Sequence, residues 1–499
     1  MITKTLRFLF LGLICSVAAA AQDRPLELFT SLVYSDAPPP PDSFSQWASA
    51  LDVVGVANMP TVIAVHIPRQ GGNLDVNISL ENMDRREGFG ERDPQACDRG
   101  DLSGCEIIPI PGFPVDEFSY TWSGQGNGYD LRLTVHRGNA VGVITGEIGR
   151  FAIAWNSLKE LNQAFFETND TIVGEGTEAI QTPAKIVAGR ENSAIVNWTD
   201  EKISAATVKK IRFSSPSMVA TTTSLDMLVL VTDQARIQAG GNPSDCRDMA
   251  GAMTYIYQNV SSMNTAFAHS LVPAQIGEVT VARLNGFTLL TPPNQANAAL
   301  DRNRIQASTN IRSFRDLVGA DVVSTLVDTQ ANLGECGVSY IQRPDCGGGA
   351  PGCGNGPAFS NWTYLIETVQ CAVVDTFTHE LGHVLGADHD PAHTMATPST
   401  ASFPYSFGYN KVAGGGVPGF ETIMSQEFDA AHPVRLLQFS NPRVFFMGVP
   451  TGAPVTFYGE NNAMTLTNLA GLTAGFRSRP DLVFASGFDE TNACPAVNF

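Results

Sequence analysis

Positive charge is scarce in this 499-residue chain: 31 Lys and Arg stand against 49 Asp and Glu, for a net charge of −18. That balance has the wrong sign for neutralising phosphate, which excludes nucleic acid and anionic membrane surfaces as principal partners. Charge of either sign is sparse too, at 16% of residues, while 43% are hydrophobic. So apolar a chain buries a large core, which excludes a disordered or fibrous protein and predicts about two or three domains. No apolar run is long enough for a comfortable membrane span; the longest at the N-terminus, residues 8–20, is interrupted by Gly12 and Ser16. No paired C-x-x-C spacing is present, so a thiolate-held structural zinc is not indicated. No D-x-[DN]-x-[DN]-G loop marks a calcium site. Internal repeats and sustained heptads are missing as well, which removes solenoids and coiled coils.

What is present begins with an address. Lys4 and Arg7 precede the apolar run, which ends in small residues ahead of Gln22 and Asp23. This is the pattern of a secretory signal peptide, residues 1–21 with cleavage after Ala21, leaving no membrane attachment behind. Cys15 leaves with the signal and, preceded by bulky Ile14, is no lipid acceptor. Eight cysteines remain: Cys97, Cys105, Cys246, Cys336, Cys346, Cys353, Cys371 and Cys494. An even number in an exported chain, extracellular or periplasmic, predicts disulfides. Cys97–Cys105 and Cys346–Cys353 are the easiest local pairs, and the remaining connectivity is open.

Residues 22–215 read as a β-rich N-terminal domain. Its clearest element alternates Leu131, Leu133 and Val135 with Arg132, Thr134 and His136, then turns at Arg137-Gly138-Asn139 and returns through residues 141–144. That pattern predicts a β-hairpin. His66 and His136 stand singly on strand-like segments and read as structural. Lys209, Lys210 and Arg212, followed by Ser214-Ser215-Pro216, read as a linker or processing site. A buried-strand run at 225–231 opens a second domain, 222–478. Met249, Met253, Ile256, Val260, Met263 and Phe267 then mark one face of an amphipathic helix. Strands are expected at 279–284, 321–327 and 337–341. The Gly/Pro/Cys-rich stretch 342–360 is too long for a plain connection and reads as stapled or functional. Residues 479–499 form a tail whose role is open.

The chemistry is concentrated at His379-Glu380-Leu381-Gly382-His383 and continues through Gly386 to His389 and Asp390. Four residues make about one helical turn, so His379 and His383 project from one face and reach one ion. Val373, Phe377, Leu381 and Val384 recur on another face, which anchors the helix to a core. Gly386 falls where the helix should stop; lacking Cβ, it can take the left-handed turn that returns His389 to the same ion. Three neutral imidazoles leave one tetrahedral position open for water, the mark of a catalytic zinc site. Glu380 is placed to be the general base: it takes a proton from the attacking water and passes it to the leaving amine.

The pattern H-E-x-x-H-x-x-G-x-x-H resembles the metzincin zinc peptidases. Asp390 directly after the third histidine is similar to the reprolysin (adamalysin)-like branch. Weaker similarities accompany it: LDMLVLV, MNTAFAHS, RDLVGADVVSTLVD, FETIMSQ, FSNP and GVPTG. The resemblance implies an α/β (α+β) catalytic domain with a twisted mixed sheet and an active-site helix, preceded by a β-rich N-terminal or pro-domain. It implies one catalytic Zn²⁺ held by His379, His383 and His389, with Glu380 as base and a protein or peptide substrate. It also implies a methionine turn beneath the ligands. Met424 and Met395 compete for that place, and the context ahead of FSNP favours Met424. Asp390 is expected to bond backbone near that turn, and Asp388 and His393 to be solvated loop residues. A zymogen whose Cys97 thiolate blocks the metal is one reading of the N-terminal domain; a Cys97–Cys105 disulfide is favoured in an exported chain. Two rivals stay open, a zinc-holding adhesion module without turnover and a zinc hydrolase of non-protein amides, since three histidines and a glutamate do not specify the acyl partner. Oligomeric state is open.

Overall fold

The computed structural model describes residues 25–34, 43–85, 120–155, 163–168, 202–212, 222–343, 359–426 and 434–478, with short breaks inside several of these ranges. The signal segment, Cys97, Cys105, Cys246, Cys346, Cys353, Cys494, Met395 and the tail 479–499 lie outside the described residues.

The N-terminal region is a single ten-stranded sheet. Its strands are β1 (Leu26–Glu27), β2 (Phe29–Tyr34), β3 (Ser43–Leu51), β4 (Val62–Arg69), β5 (Gly72–Arg85), β6 (Tyr120–Gly126), β7 (Tyr129–His136), β8 (Asn139–Gly146), β9 (Gly149–Trp155) and β10 (Gln163–Thr168). Their order is β1-β4-β5-β6-β7-β8-β9-β10-β3-β2. The pairs β4–β5, β6–β7, β7–β8 and β8–β9 are antiparallel and close in sequence; Asn127-Gly128 turns β6 into β7 with φ of 53° and 79°, the positive-φ pair that a type I′ turn demands. The expected hairpin is present as β7 and β8, with Leu131 opposite Ile144 and Leu133 opposite Gly142. Leu131, Leu133 and Val135 join Ile63, Ile78, Trp122 and Phe151 in this sheet's own core.

The alternate residues of β7 behave differently from a half-solvated strand. Arg132, Thr134 and His136 are buried as well, 4%, 0% and 4% exposed. The reason is a second layer: the helix Ala250–His269 of the following unit lies across that face.

That unit is built on a six-stranded sheet of order β11-β13-β12-β14-β16-β15. The strands are β11 (Lys202–Arg212), β12 (Thr223–Thr232), β13 (Ala274–Asn285), β14 (Val322–Val327), β15 (Gly337–Ser339) and β16 (Tyr364–Thr368). The inner strands β13, β12, β14 and β16 run parallel, with antiparallel β11 and β15 at the edges. Inner parallel strands are covered on both faces, which is why 225–231 reads as an apolar run broken only by Asp226. Lys209, Lys210 and Arg212, read from sequence as linker, instead lie in β11 opposite Val281, Thr280 and Glu278. An edge strand tolerates such charge, and the charge discourages further pairing.

Parallel strands need crossovers, supplied here by α1 (Asp233–Gln238) and α2 (Ala250–His269), and by α3 (Gln295–Ala307) and α4 (Thr309–Val318). The methionine-rich face of α2, Met253, Ile256, Val260, Met263 and Phe267, packs on Met227, Val229, Val279 and Val281. Val141 of β8 and Ala152 of β9 belong to the same core, so the two units share one apolar interior. Helix α5 (Thr376–Val384) follows β16. The remainder consists of a small sheet of β17 (Asn410–Lys411), β18 (Phe420–Thr422) and β19 (Val434–Leu436), a hairpin of β20 (Asn441–Phe446) and β21 (Val449–Thr451), and helix α6 (Asn462–Thr473). No described helix is long and apolar enough to cross a membrane.

Candidate metal centre and active site

Helix α5 starts after a tight 3-10 turn, Cys371–Val374, and its register follows from its apolar face. Val373, Phe377, Leu381 and Val384 lie in the main core, which turns His379 and His383 toward one another. The helix ends in paired bonds, Ala387 N–H to Gly382 O at 2.9 Å and Gly386 N–H to His383 O at 2.8 Å. With Gly386 at φ +89° this is the Schellman stop, and the reversal carries the chain back to His389. A Cβ on Gly386 would sit 2.5 Å from Leu469 Cδ1, so glycine is required by space as well as by φ.

The three imidazoles converge. His379, His383 and His389 Nε2 atoms lie 3.0–3.1 Å from one another, and the rings are at most 2% exposed. His379 Nδ1–H donates to Ile423 O at 3.0 Å and His383 Nδ1–H to Ala387 O at 2.8 Å. These bonds fix the tautomer that leaves each Nε2 lone pair facing the centre. Burial, aided by the Arg435 charge, lowers the His379 pKa to about 3, and burial with the neighbouring His383 holds His389 well below its ordinary value. Three convergent nitrogen donors, two of them held neutral by burial, are the form that binds a divalent transition metal, so the residues present fit the ion that the motif implies.

Glu380, fully buried, packs against the edge strand β15: a Cβ on Gly337 would lie 2.8 Å from Glu380 Oε1 and 2.7 Å from its Cγ. Gly337 is a residue beside Glu380 that sequence reading missed, present there only as the start of the expected strand 337–341. Beneath the helix, Met424 Sδ lies 2.7 Å from where a Gly382 Cβ would stand, with Phe439 Cε1 at 2.9 Å. The thioether thus floors the turn between His379 and His383. Gly382→Ala is expected to lower stability by about 1–3 kcal/mol through this overpacking; an unchanged urea midpoint would show that Met424 and Phe439 move aside freely.

Asp390 ties the loop that carries His389 to that floor. Its carboxylate accepts Gln426 N–H at 3.0 Å and the Ser425 hydroxyl at 3.3 Å, and lies 3.0 Å from His393 Nδ1. Asp388, expected in solvent, is instead buried; it accepts the Thr394 hydroxyl at 2.7 Å and faces Arg343 at 3.8 Å. Burial raises its pKa to about 6. His393 remains partly exposed.

Two further supports have no local sequence signal. Arg435 Nη2 donates to Ile423 O at 2.8 Å, the same carbonyl that receives His379, while its Nη1 pairs with buried Glu421 at 3.3 Å. A Cys336–Cys371 disulfide, Cα–Cα 5.4 Å, ties the start of β15 to the turn ahead of α5. Closing such a loop contributes roughly 2–4 kcal/mol.

Behind the edge strand, Glu367 of β16 receives both oxygens' bonds from Asn259 Nδ2 at 2.8 Å. Burial raises its pKa to about 8. The folded state therefore holds a proton that the unfolded state releases above about pH 4.3, so this group's contribution falls as pH rises toward 8. Glu367→Gln does not titrate, and its urea midpoint relative to wild type is expected to climb from pH 5 to pH 8; parallel profiles would contradict the assignment.

Comparison with known proteins adds the following. Residues 221–440 match Metallo-peptidase family M12. A peptidyl-Asp metalloendopeptidase of Stenotrophomonas maltophilia (strain R551-3) is 26% identical over 263 residues, 52% of this chain and 54% of the relative. One from Xanthomonas campestris pv. campestris is 27% identical over 254 residues, 50% and 51% of the two chains. The chain thus spans about half the length of the curated relatives it matches. Metalloproteinase-II from Bacteroides fragilis aligns with a TM-score of 0.29 and 10% identity over 71% of this chain and 89% of its own, too slight a likeness to bear on the fold.

Proposed function

Since residues 221–440 belong to metallopeptidase family M12, we propose that the chain is an exported zinc-dependent metalloendopeptidase that hydrolyses peptide bonds in proteins. The observation that carries this is the convergence of three buried imidazole Nε2 atoms beside a glutamate one residue along the same helix. His379, His383 and His389 hold the ion. When bound, zinc supplies a Lewis acid for the scissile carbonyl and lowers the pKa of water. Glu380 accepts the proton of the attacking water and delivers it to the departing amine. Gly386 shapes the ligand loop, and Asp390 and Met424 support it from below. The reading extends to an exported precursor, with residues 1–21 as signal, 22–215 as the β-rich N-terminal domain, 222–478 as the peptidase domain and 479–499 as a tail.

Intact Glu380 favours turnover over a zinc-holding adhesion module, and protein digestion separates a peptidase from a hydrolase of other amides. The relatives' name suggests bonds beside aspartate. The test is digestion of a denatured protein by the full, zinc-loaded chain beside Glu380→Gln, with every new terminus identified by mass spectrometry. Cuts confined to the wild type support the peptidase and display its side-chain preference; no cuts by zinc-loaded wild type would overturn it.

A further inference from the structure

We propose that the N-terminal ten-stranded sheet is a working part of the enzyme, in which Arg132 positions the metal-binding helix through Asp375. The role given to α5 rests on the metallopeptidase reading, whereas the contact itself is independent of it.

The contact is a buried, bidentate one. Arg132 Nη1 and Nη2 donate to the two Asp375 carboxylate oxygens at 2.6 and 2.8 Å, and Nη1 also reaches Ser262 Oγ of α2 at 2.5 Å. Both side chains of the pair are 5% exposed. Asp130, on the same strand, lies 3.4 Å from Arg132 Nε. Two further bridges flank it: the Thr134 hydroxyl donates to Gln258 Oε1 at 2.5 Å, and the His136 ring meets Tyr257 edge-on with centroids 5.1 Å apart. All three β7 residues come from the face that a solitary strand would give to water.

Asp375 occupies a special place. It precedes α5 in the left-handed region, φ 66° and ψ 14°, and its side chain does not cap its own helix. A non-glycine residue stays in that region when its surroundings hold it there. Its carbonyl accepts the N–H of His379, the first ligand, at 3.0 Å. The Arg132 fork therefore fixes the carboxylate of the residue from which the ligand-bearing turn hangs. Charge-assisted forks of this kind set angle as well as distance. The same sheet also braces the other side of His379: β8 lies against the Cys371–Val374 turn and against β19, whose Arg435 holds Ile423 O. A segment made only to cover the metal would have no need to grip the helix from behind.

The test uses the full chain. Arg132→Met, Asp375→Asn and the double variant are compared with wild type for kcat, KM, zinc affinity by chelator competition, and amide exchange across residues 376–384. We expect kcat to fall at least tenfold with KM within twofold, zinc to bind at least tenfold more weakly, and α5 to exchange faster. The double variant should be no worse than either single one, and Arg132→Lys should recover part of the loss. Wild-type zinc affinity and exchange in folded Arg132→Met would overturn the proposal. Should that variant fail to fold, a protease site inserted between residues 168 and 202 of the otherwise native chain decides. The cut halves are expected to co-elute and keep zinc; release of the N-terminal half with kcat equal to or above that of the uncut chain would overturn the proposal. Zinc affinity and exchange are read without substrate, so a wild type that cleaves nothing would defeat the peptidase reading and leave this test intact.

Discussion

Glu380→Gln is expected to bind zinc as wild type does, unfold at the same urea concentration, and cleave protein about 10²–10⁴-fold more slowly, the usual worth of a positioned general base. The amide is isosteric with the carboxylate, so the packing against Gly337 is preserved and no cavity opens. The three converging imidazoles are untouched, because Glu380 is not among them. What disappears is the capacity to take a proton at this point in the buried site. Loss confined to kcat would place Glu380 on the reacting atoms. Activity near wild type with zinc bound would remove it from the mechanism, and weakened zinc would mean that its carboxylate had been holding the ligands.

The parts of this site legible in the sequence were those whose spacing is set by one helix turn and its stop. His379, Glu380, His383, Gly386 and His389 sit within eleven positions, close enough for local geometry to dictate the rest. The central strands were legible for a related reason, since burial on both faces leaves an apolar run such as 225–231. Long-range partners left no such trace. Arg435 meets Ile423 only because β18 and β19 pair in parallel, and Cys371 finds Cys336 only because β15 returns along β16. The burial of the polar face of β7 was not legible for a physical reason. Alternation separates two faces but does not say whether the second meets water or another layer, and Arg132, Thr134 and His136 meet α2. Likewise Lys209 and Lys210 read as linker because charged residues in an edge strand leave little apolar signal.

His383→Ala is expected to abolish stoichiometric zinc binding while leaving the metal-free fold close to that of chelator-treated wild type. The His383 Nε2 atom is 3.0–3.1 Å from both other donors, so its removal leaves two nitrogens, too few for a tight tetrahedral site. The helix should survive, because its stop is made by backbone bonds of Gly386 and Ala387 and its anchor by Leu381 and Val384. Ligand linkage supplies the quantitative check. Zinc at a hundred times its dissociation constant stabilises the wild type by about 2.7 kcal/mol, and the variant should show no such shift when zinc is added. Truncating a buried imidazole also removes packing, so the comparison that matters is variant against wild type, each with and without chelator. A variant that still gains stability from zinc and retains one ion per chain would mean that the ligand set is drawn wrongly. A variant that loses zinc but melts far below metal-free wild type would assign His383 a structural part beyond the metal, through the Ala387 carbonyl that its Nδ1–H now holds at 2.8 Å.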